Sequence, residues 1–523
     1  MTALETVQNA IRMEHITKRF GNVVANHDIN LELHKGEILS LLGENGSGKT
    51  TLMNMLSGIY YSDEGQIYVN DQPVTISSPK DAFDLGIGMI HQHFKLVDVF
   101  TATENIVLGL DEPGKLDLKK ASQKITEICQ RYGFEIDLNR KIYEMSVSQK
   151  QAVEIVKVLY RGAEILILDE PTAVLTPQET DKLFTVMRNM KADGKSLIII
   201  THKLHEVLEV SDRVAVLRKG EYVGDVATKD ANQQSLTDMM VGRAVSLNIN
   251  RPDPVNVRPR LEVKGLTVYD ELGVKRLSDV TFTANSGEIL GIAGIAGSGQ
   301  RELLEAISGL YPVSAGSILF HPESEDEKAP EDRKSRELVG LDPMAIRKCG
   351  VSMAFVPEDR LGMGLVGSMG MTGNMMLRSW RKGKGVFLNR KEPEALANQI
   401  WKELDVVTPS TSFPVRRMSG GNVQKVLVGR EIAQDPAVLM TAYAVRGLDI
   451  NTSYTIYNLL TEEKMKGVAV VYVGEDLDVL LELCDRILVL CGGQVSGIVD
   501  ARTTDKRQVG TLMTRVGGGN ADE

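Results

Sequence analysis

Residues 43–50 read Gly-Glu-Asn-Gly-Ser-Gly-Lys-Thr, and residues 294–301 read Gly-Ile-Ala-Gly-Ser-Gly-Gln-Arg. The first stretch matches the phosphate-loop pattern, in which glycines let backbone N–H groups surround phosphate oxygens. In that pattern Lys49 reaches the β- and γ-phosphates, and the Thr50 hydroxyl is placed to bind Mg²⁺. The second stretch has Gln300 and Arg301 at these two positions. The sequence therefore predicts two related nucleotide sites, of which only one is equipped for chemistry.

Each glycine loop supplies a set of candidate nucleotide ligands. In the first half of the chain these are Gly43, Glu44, Asn45, Gly46, Ser47, Gly48, Lys49, Thr50 and Thr51. In the second half, where we expect a degenerate site, they are Gly294, Gly297, Ser298, Gly299, Gln300 and Arg301.

The apolar runs around the first loop predict its setting in the fold. Glu37–Leu42 is an apolar strand that leads into the loop, and Thr50–Leu56 continues from it as a helix. Two further apolar runs, Ile165–Leu168 and Leu197–Ile200, end in polar residues. Short buried strands that alternate with helices indicate an α/β fold with a largely parallel sheet. Functional loops then lie at the carboxyl ends of the strands.

The two loops belong to an internal repeat. Gly36-Glu-Ile-Leu39 recurs 251 residues later as Gly287-Glu-Ile-Leu290, and Asp212-Arg213 recurs 273 residues later as Asp485-Arg486. The second copy has therefore gained residues in between. We place much of this gain in segment 321–344, which is rich in charge and proline, and predict a solvated surface loop there.

The repeat sets the domain boundaries. Residues 247–259 contain three prolines and no apolar periodicity, which predicts a short, stiff linker. We therefore predict one domain over 1–246, a second over 260–516, and a disordered tail over 517–523.

Composition narrows the class of protein. The net charge of −10 argues against a nucleic-acid surface, which needs a basic stripe. The N-terminus lacks the basic and apolar regions of a secretory signal, and no apolar run reaches the length of about 18 residues that a spanning helix needs. The four cysteines form no CxxC pair and indicate reduced, mostly buried thiols in a cytosolic protein: Cys129, Cys349, Cys484 and Cys491.

Polar residues at strand ends are the candidates for chemistry. Asp169 and Glu170 follow an apolar strand, where one carboxylate can hold Mg²⁺ and the other can orient the attacking water; the alternative is a pair of exposed acids that opens a turn. The preceding phosphate loop favours the catalytic interpretation. His202 is placed to contact the γ-phosphate, and Gln92 to approach the metal, unless both are ordinary structural residues. Phe20 is a candidate to stack on adenine, with a place in the core as the alternative.

Together with Ser419-Gly-Gly-Asn422, these motifs resemble the ATP-binding cassette ATPase family over nearly the whole chain. The resemblance implies two tandem P-loop NTPase domains, each with a parallel-sheet core, an antiparallel subdomain and a helical subdomain. It implies ATP and Mg²⁺ as cofactors, with Thr50, Gln92 and Asp169 at the metal. It also implies Glu170 as the general base, with His202 and Gln92 as catalytic partners.

In this family two cassettes pair head to tail, so that the signature segment of one completes the phosphate loop of the other. The resemblance therefore implies that Ser419, Gly420, Gly421, Asn422 and Asp449 complete the first site, with the cassettes paired within one chain. The segment Ser146-Val-Ser-Gln149 has lost both signature glycines. It would face the second site, whose other altered positions are Glu358, Ala442, Tyr443 and Glu475. The losses thus fall together on one composite site.

A fused double cassette with the motif VPEDR at 356–360 is similar to the ATPase subunits of bacterial simple-sugar and nucleoside importers. His91-Gln-His-Phe-Lys-Leu-Val97 and the run from Glu170 to Glu179 favour the nucleoside branch. This implies a peripheral protein at the cytoplasmic face of the membrane, two transmembrane permease subunits, and an extracytoplasmic solute-binding lipoprotein.

Three alternatives remain open at this point. One is a sugar importer of the ribose or galactose type. Another is a soluble double cassette that acts on ribosomes or DNA, which the short linker and acidic charge disfavour. The third is a nucleotide-sensing module, which the intact pair Asp169 and Glu170 disfavours.

Overall fold

The structure is a computed structural model. It describes residues 8–21, 23–91, 94–110, 117–173, 175–201, 203–242, 249–322, 335–348, 353–380 and 388–514. The chain forms two compact units, unit 1 over Met1–Ser246 and unit 2 over Leu247–Glu523. In the described parts of the chain, every helix is too short or too polar to span a bilayer.

Unit 1 contains ten strands and eight α-helices in its described residues. The strands are β1 Asn9–Phe20, β2 Val23–His34, β3 Ile38–Leu42, β4 Glu64–Val69, β5 Gln72–Val74, β6 Ile87–Ile90, β7 Ile165–Asp169, β8 Ser196–Ile200, β9 Arg213–Arg218 and β10 Glu221–Ala227. The helices are α1 Lys49–Leu56, α2 Pro79–Asp84, α3 Ala102–Val107, α4 Leu118–Tyr132, α5 Val147–Tyr160, α6 Pro177–Ala192, α7 Leu204–Val210 and α8 Gln233–Val241. Short 3₁₀ turns cover Ile142–Glu144 and Thr228–Asp230.

Two sheets and a group of helices make up unit 1. The central sheet has the order β10-β9-β3-β8-β7-β6, and its strands are parallel except for the edge strand β10. A smaller antiparallel sheet has the order β2-β1-β4-β5. Every residue of β3, β7 and β8 is buried, because helices and the second sheet cover both faces of the central sheet. A separate apolar cluster joins α3, α4 and α5.

Unit 2 repeats these elements. Its strands are β11 Pro259–Tyr269, β12 Lys275–Asn285, β13 Glu288–Gly294, β14 Ala315–Phe320, β15 Arg336–Glu337, β16 Met353–Val356, β17 Val438–Ala442, β18 Ala469–Val473, β19 Arg486–Cys491 and β20 Gln494–Asp500. Its helices are α9 Gln300–Ile307, α10 Pro343–Lys348, α11 Met371–Ser379, α12 Lys391–Glu403, α13 Gly420–Ile432, α14 Ile450–Met465, α15 Leu477–Leu483 and α16 Lys506–Thr514. A π-helical turn covers Arg360–Gly364, and a 3₁₀ turn covers Val415–Arg417.

The strand orders of the two units correspond position by position. Unit 2 has a central sheet ordered β16-β17-β18-β13-β19-β20 and an antiparallel sheet ordered β12-β11-β14-β15. Read from its other edge, the central sheet of unit 2 has the order found in unit 1. The loop that follows β13 is therefore the structural counterpart of the loop that follows β3.

The segment predicted as a short, stiff linker packs on unit 2 in its described part. Arg251 donates hydrogen bonds to the carbonyl oxygens of Leu481 and Cys484, at 2.8 and 2.7 Å. Lys464 Nζ donates to the Pro252 carbonyl at 2.6 Å. Pro259 already belongs to β11. The described part of the predicted linker is therefore attached to unit 2.

The charged segment 321–344 is also only partly a surface loop. Residues 323–334 lie outside the described residues, but Arg336 and Glu337 form β15 against β14. The Leu338 side chain is buried in the core beneath this strand. The prediction of a solvated loop is therefore wrong for the end of the segment, because Leu338 gives it an apolar anchor. The predicted tail 517–523 lies outside the described residues.

An aspartate holds the first loop strand at the same place in each unit. Asp212 accepts a hydrogen bond from the Ile38 backbone at 2.9 Å, and Asp485 accepts one from Ile289 at 2.9 Å. Each aspartate also pairs with a lysine. The pair of Lys191 and Asp212 is well exposed, whereas Lys464 and Asp485 are 1% and 6% exposed.

We expect these matched ion pairs to differ in their contribution to stability. Lys464→Met leaves the buried Asp485 charge with only Arg502, at 3.6 Å, and should lower the free energy of unfolding by about 3 kcal/mol. Lys191→Met removes a solvent-screened pair and should cost less than about 1 kcal/mol. Chemical denaturation of both variants measures the difference. Equal losses would contradict the assignment of the buried pair as a fold constraint.

Candidate functional site

The loop between β3 and α1 leaves no room for side chains at two of its glycines. A Cβ atom on Gly43 would lie 2.3 Å from the Leu217 carbonyl oxygen. Gly48 has a φ of 95° and caps α1, and a Cβ there would lie 2.5 Å from the Ala25 carbonyl oxygen. Only glycine fits both positions, and the loop backbone therefore turns tightly into the helix N-terminus.

Lys49 is folded back into this loop. Its side chain is 7% exposed, and Nζ donates to the carbonyl oxygens of Gly43 at 2.7 Å and Glu44 at 3.0 Å. Burial lowers the pKa of the Lys49 ammonium, and the carboxylates of Glu170 and Asp169 oppose that shift. A phosphate would give this buried cation a charged partner.

A buried hydroxyl in the same loop is placed to bind a phosphate group. Ser47 is 3% exposed, and its Oγ has no hydrogen-bond partner among the described residues. A buried oxygen without a partner is costly, and a bound phosphate group would satisfy it. The glycine turn, the Lys49 ammonium and the Ser47 hydroxyl together fit a nucleotide phosphate.

The carboxyl end of β7 carries two acids in different settings. Burial, with a smaller contribution from the Glu170 charge, raises the pKa of Asp169 to about 6, while Lys49 lowers it. Glu170 adopts a φ of 50°, which is uncommon outside glycine, and its N–H donates to the Ile200 carbonyl at 2.8 Å. Strained backbone of this kind is concentrated at functional sites. A divalent cation fits here, since it would stabilise the ionised form of Asp169.

The other predicted residues of the first site have mixed outcomes. Gln92 and His202 lie outside the described residues, so their roles stay predictions. Thr50 lies in the first turn of α1 and is exposed. Phe20 lies at the end of β1 with 43% of its surface exposed, and its ring makes an edge contact with Tyr60 at 5.1 Å. Phe20 is therefore accessible, and the alternative of a core aromatic is wrong.

The loop of unit 2 keeps the same turn with different chemistry. A Cβ on Gly294 would lie 2.7 Å from the Leu490 carbonyl oxygen, as at Gly43 in unit 1. Gln300 Nε2 donates to the Ile295 carbonyl at 3.1 Å, so a neutral amide takes the place of the lysine. Arg301 points to solvent and pairs with Glu305 at 2.7 Å. The loop therefore has no cation placed inside it.

An ion-pair network occupies the position that corresponds to the acidic strand end. Arg446 Nε lies 3.2 Å from Glu475, and Arg446 Nη1 donates to Glu358. The guanidinium lies 5.9 Å from the centre of the Tyr443 ring. Tyr443 has a φ of 50°, the conformation of Glu170. The backbone geometry of Glu170 is thus kept at Tyr443, while Ala442 and Tyr443 provide no carboxylate.

The two signature segments differ in how their helices begin. In unit 1 the side chain of Gln149 accepts a hydrogen bond from the Ser146 N–H at 3.1 Å, and Ser146 Oγ lies 3.0 Å from Ser148 Oγ. In unit 2 Asn422 Nδ2 donates to Ser419 Oγ at 2.8 Å. Both helices are thus capped by their own serine, and they differ in that Val147 and Ser148 follow Ser146 whereas two glycines follow Ser419.

Arg446 and Arg360 lie near the second site, and neither of them was assigned a role from the sequence. Arg446 precedes Gly-Leu-Asp449, and Arg360 ends VPEDR. The sequence signal that could have singled them out is a basic residue near the acidic residues Glu358 and Glu475, which replace the residues of the first site. Asp449, which was predicted to face the first site, caps α14: its Oδ1 accepts from the Thr452 N–H and its Oδ2 from the Thr452 hydroxyl, both at 2.8 Å.

Comparison with known proteins places the chain. The model of the family described as ABC transporter matches residues 26–173 and again residues 277–441. The chain belongs to this family. As an ABC transporter ATPase it binds ATP, and the predictions of the family and of two tandem cassettes in an α/β fold are confirmed.

Curated relatives of this ABC transporter ATPase match over its full length. The nucleoside import ATP-binding protein NupA of Lactococcus lactis subsp. cremoris is 42% identical over 521 residues, 99% of each chain. The guanosine import ATP-binding protein NupO of Bacillus subtilis is 40% identical, covering 97% of this chain and 98% of its own. The glucose import ATP-binding protein TsgD13 of Haloferax volcanii is also 40% identical, covering 98% and 96%.

The raised pKa of Asp169 predicts that the folding stability of the nucleotide-free protein depends on pH. The native carboxyl binds its proton more tightly than the unfolded chain does, so this residue destabilises the fold increasingly as the pH rises from about 4 to above 6. Asp169→Asn removes the charge. Its stability gain over wild type should therefore grow by about 2 kcal/mol between pH 4 and pH 7.

Unfolding free energies measured across this range test the prediction. Glu170→Gln serves as the matched control. It should shift the wild-type profile to lower pH, because the Glu170 charge contributes to the raised pKa of Asp169. Parallel profiles for wild type and Asp169→Asn would show that Asp169 has no such shift.

Proposed function

We propose that this ABC transporter ATPase energises nucleoside import through permease subunits, with one hydrolytic site and one degenerate site. The observation that carries the proposal is the different chemistry of the two glycine loops. Unit 1 has the buried Lys49 and the acids Asp169 and Glu170, and unit 2 has Gln300, Ala442 and Tyr443. Hydrolysis is therefore assigned to the loop of unit 1.

We infer that the signature of unit 2 completes this hydrolytic site. Ser419 and the glycines after it stand at the start of a 13-residue helix, whose N-terminus favours negative charge. In unit 1, Val147 and Ser148 stand in place of the two glycines, and Gln149 accepts a hydrogen bond from the Ser146 N–H. Head-to-tail pairing within one chain would therefore combine the intact loop with the intact signature, and the altered loop with the altered signature.

Thr50 and Asp169 would hold Mg²⁺ at the first site, with Gln92, outside the described residues, as the predicted third ligand; when bound, the ion would neutralise charge on the transferred phosphoryl group. Lys49 supplies a second positive charge. Because the ammonium group is buried, its attraction to a phosphate group is stronger than it would be in water. Glu170 orients and activates the attacking water. His202, which lies outside the described residues, would contact the γ-phosphate.

The choice of nucleosides rests on the relatives and on local motifs. The ATP-binding proteins of a nucleoside importer and a guanosine importer are 42% and 40% identical to this chain over nearly its full length. That of a glucose importer is 40% identical as well. Motifs at 91–97 and 170–179 support the nucleoside branch. The partners would be two membrane permeases and a solute-binding lipoprotein, with this chain at the cytoplasmic face. The net charge of −10 argues against binding to nucleic acid.

Matched substitutions in the two units should have unequal effects on ATP hydrolysis. Glu170→Gln removes the water-activating carboxylate and should lower kcat by about 10²–10⁴-fold. Tyr443→Phe changes the corresponding residue of unit 2 and should change kcat less than about twofold. Steady-state ATPase assays of the full-length chain compare them. Substantial turnover by Glu170→Gln would refute the assignment of the hydrolytic site.

The solute assignment is tested in a reconstituted transporter. The chain, its two permeases and the lipoprotein, identified from neighbouring genes, are assembled in vesicles. Guanosine or another nucleoside should stimulate ATP hydrolysis and enter the vesicles, and ribose or glucose should do neither. Stimulation by ribose without a response to nucleosides would replace the nucleoside assignment with the sugar alternative.

A further inference from the structure

Arg360 lies between the degenerate loops of unit 2 and its signature segment. Its Nη1 atom is 3.2 Å from where a Cβ on Gly420 would stand. Its Nη2 atom donates to the main-chain carbonyl of Arg446. One guanidinium group therefore lies beside Gly420 at the start of α13 and is hydrogen-bonded to the loop after β17.

The turn that carries Arg360 is fixed at both ends. Asp359 caps it by accepting a hydrogen bond from the Gly362 N–H at 2.8 Å. Arg430, which is buried in α13, donates to the Gly364 carbonyl at 2.7 Å. The π-helical turn is thus attached to the same helix whose N-terminus Arg360 approaches, and the guanidinium is held near Gly420.

The residue that anchors Arg360 is itself held by two carboxylates. Arg446 pairs with Glu358 and with Glu475, which are the altered residues of the second site. These acids do not reproduce the chemistry of a metal and nucleotide site. They fix the loop whose carbonyl receives the Arg360 hydrogen bond. The degenerate site therefore has a structural connection to the signature segment.

Unit 1 has no equivalent arginine. Strand β6 corresponds to β16 with an offset of 266 residues, which places Phe94 opposite Arg360. Ala173 stands opposite Arg446 with the offset of 273 residues found in the repeat. Both arginines therefore occur only in the unit that retains the intact signature.

We propose that Arg360 is a positioning residue for ATP binding, which holds the signature segment of unit 2 and adds a fixed positive charge beside it. The proposal rests on the proposed function, in which this segment meets the γ-phosphate of the first site. A helix N-terminus attracts phosphate, and a cation within a few ångströms of Gly420 strengthens that attraction. Glycine at position 420 leaves room for this placement, because a Cβ there would lie only 3.2 Å from Nη1 of Arg360.

Substitutions of Arg360 separate its charge from its hydrogen bond. They are made in the full-length Glu170→Gln chain, and the Kd is measured by fluorescence titration with a methylanthraniloyl ATP analogue and Mg²⁺. Arg360→Met should raise the Kd about tenfold. Arg360→Lys keeps the charge and should raise it two- to threefold. Arg360→Gln keeps a donor for the Arg446 carbonyl but not the charge, and should resemble Arg360→Met.

Lys425→Met is the matched control. Lys425 also lies on α13, but it donates to the Asp405 carbonyl and not to the loop after β17. This variant should leave the Kd within twofold of the parent. Thermal unfolding of all variants checks that they fold, and Arg360→Lys is the informative comparison if Arg360→Met is unstable.

Ser419→Ala separates failure of this inference from failure of the proposed pairing. If Ser419→Ala weakens binding and Arg360→Met does not, the pairing stands and the role of Arg360 is refuted. If neither weakens binding, the signature does not meet the nucleotide and the proposed composite site fails with it. Equal affinities for Arg360→Gln and Arg360→Lys would refute the role of the charge.

Discussion

The close approach of backbone to backbone at the two glycine loops is the constraint on which both units depend. At Gly43 and Gly294 a side chain would collide with the carbonyl oxygen of the neighbouring strand, β9 or β19. The chain must turn there from a fully buried strand into a helix whose first N–H groups point toward the loop. The parallel sheet supports this turn, and Asp212 and Asp485 hold the strand that enters it.

The same turn serves two different electrostatic settings. In unit 1 it surrounds a buried ammonium group whose partners within the loop are two main-chain carbonyls, and acids lie close enough to affect its pKa. In unit 2 a neutral amide makes a similar hydrogen bond, and an arginine placed between two glutamates occupies the acidic strand end. Backbone geometry has been kept, down to the φ of 50° at Glu170 and Tyr443, while the chemistry has been replaced.

Much of this arrangement could be predicted from local sequence. The strands near residues 38, 165 and 197, and the helix after the first loop, are continuous apolar or periodic runs, so their neighbours in the chain suffice to identify them. The features that the sequence did not predict involve distant contacts. The packing of residues 249–259 on unit 2 depends on hydrogen bonds of Arg251 and Pro252 with residues more than 200 positions away. Leu338 is one apolar residue in a charged segment, and only the core of unit 2 explains its burial.

The sequence by itself determined that there are two cassettes and that only the first glycine loop has the lysine and the hydroxyl of the phosphate-loop pattern, because both conclusions follow from residue types at fixed spacings. The tertiary structure decided how those groups are tuned and what replaces them. Burial shifts the pKa of Asp169, and folding brings Glu358, Arg446 and Glu475 together from three separate loops. Desolvation and long-range ion pairing depend on positions in space, and residues far apart in the chain acquire those positions only when it folds.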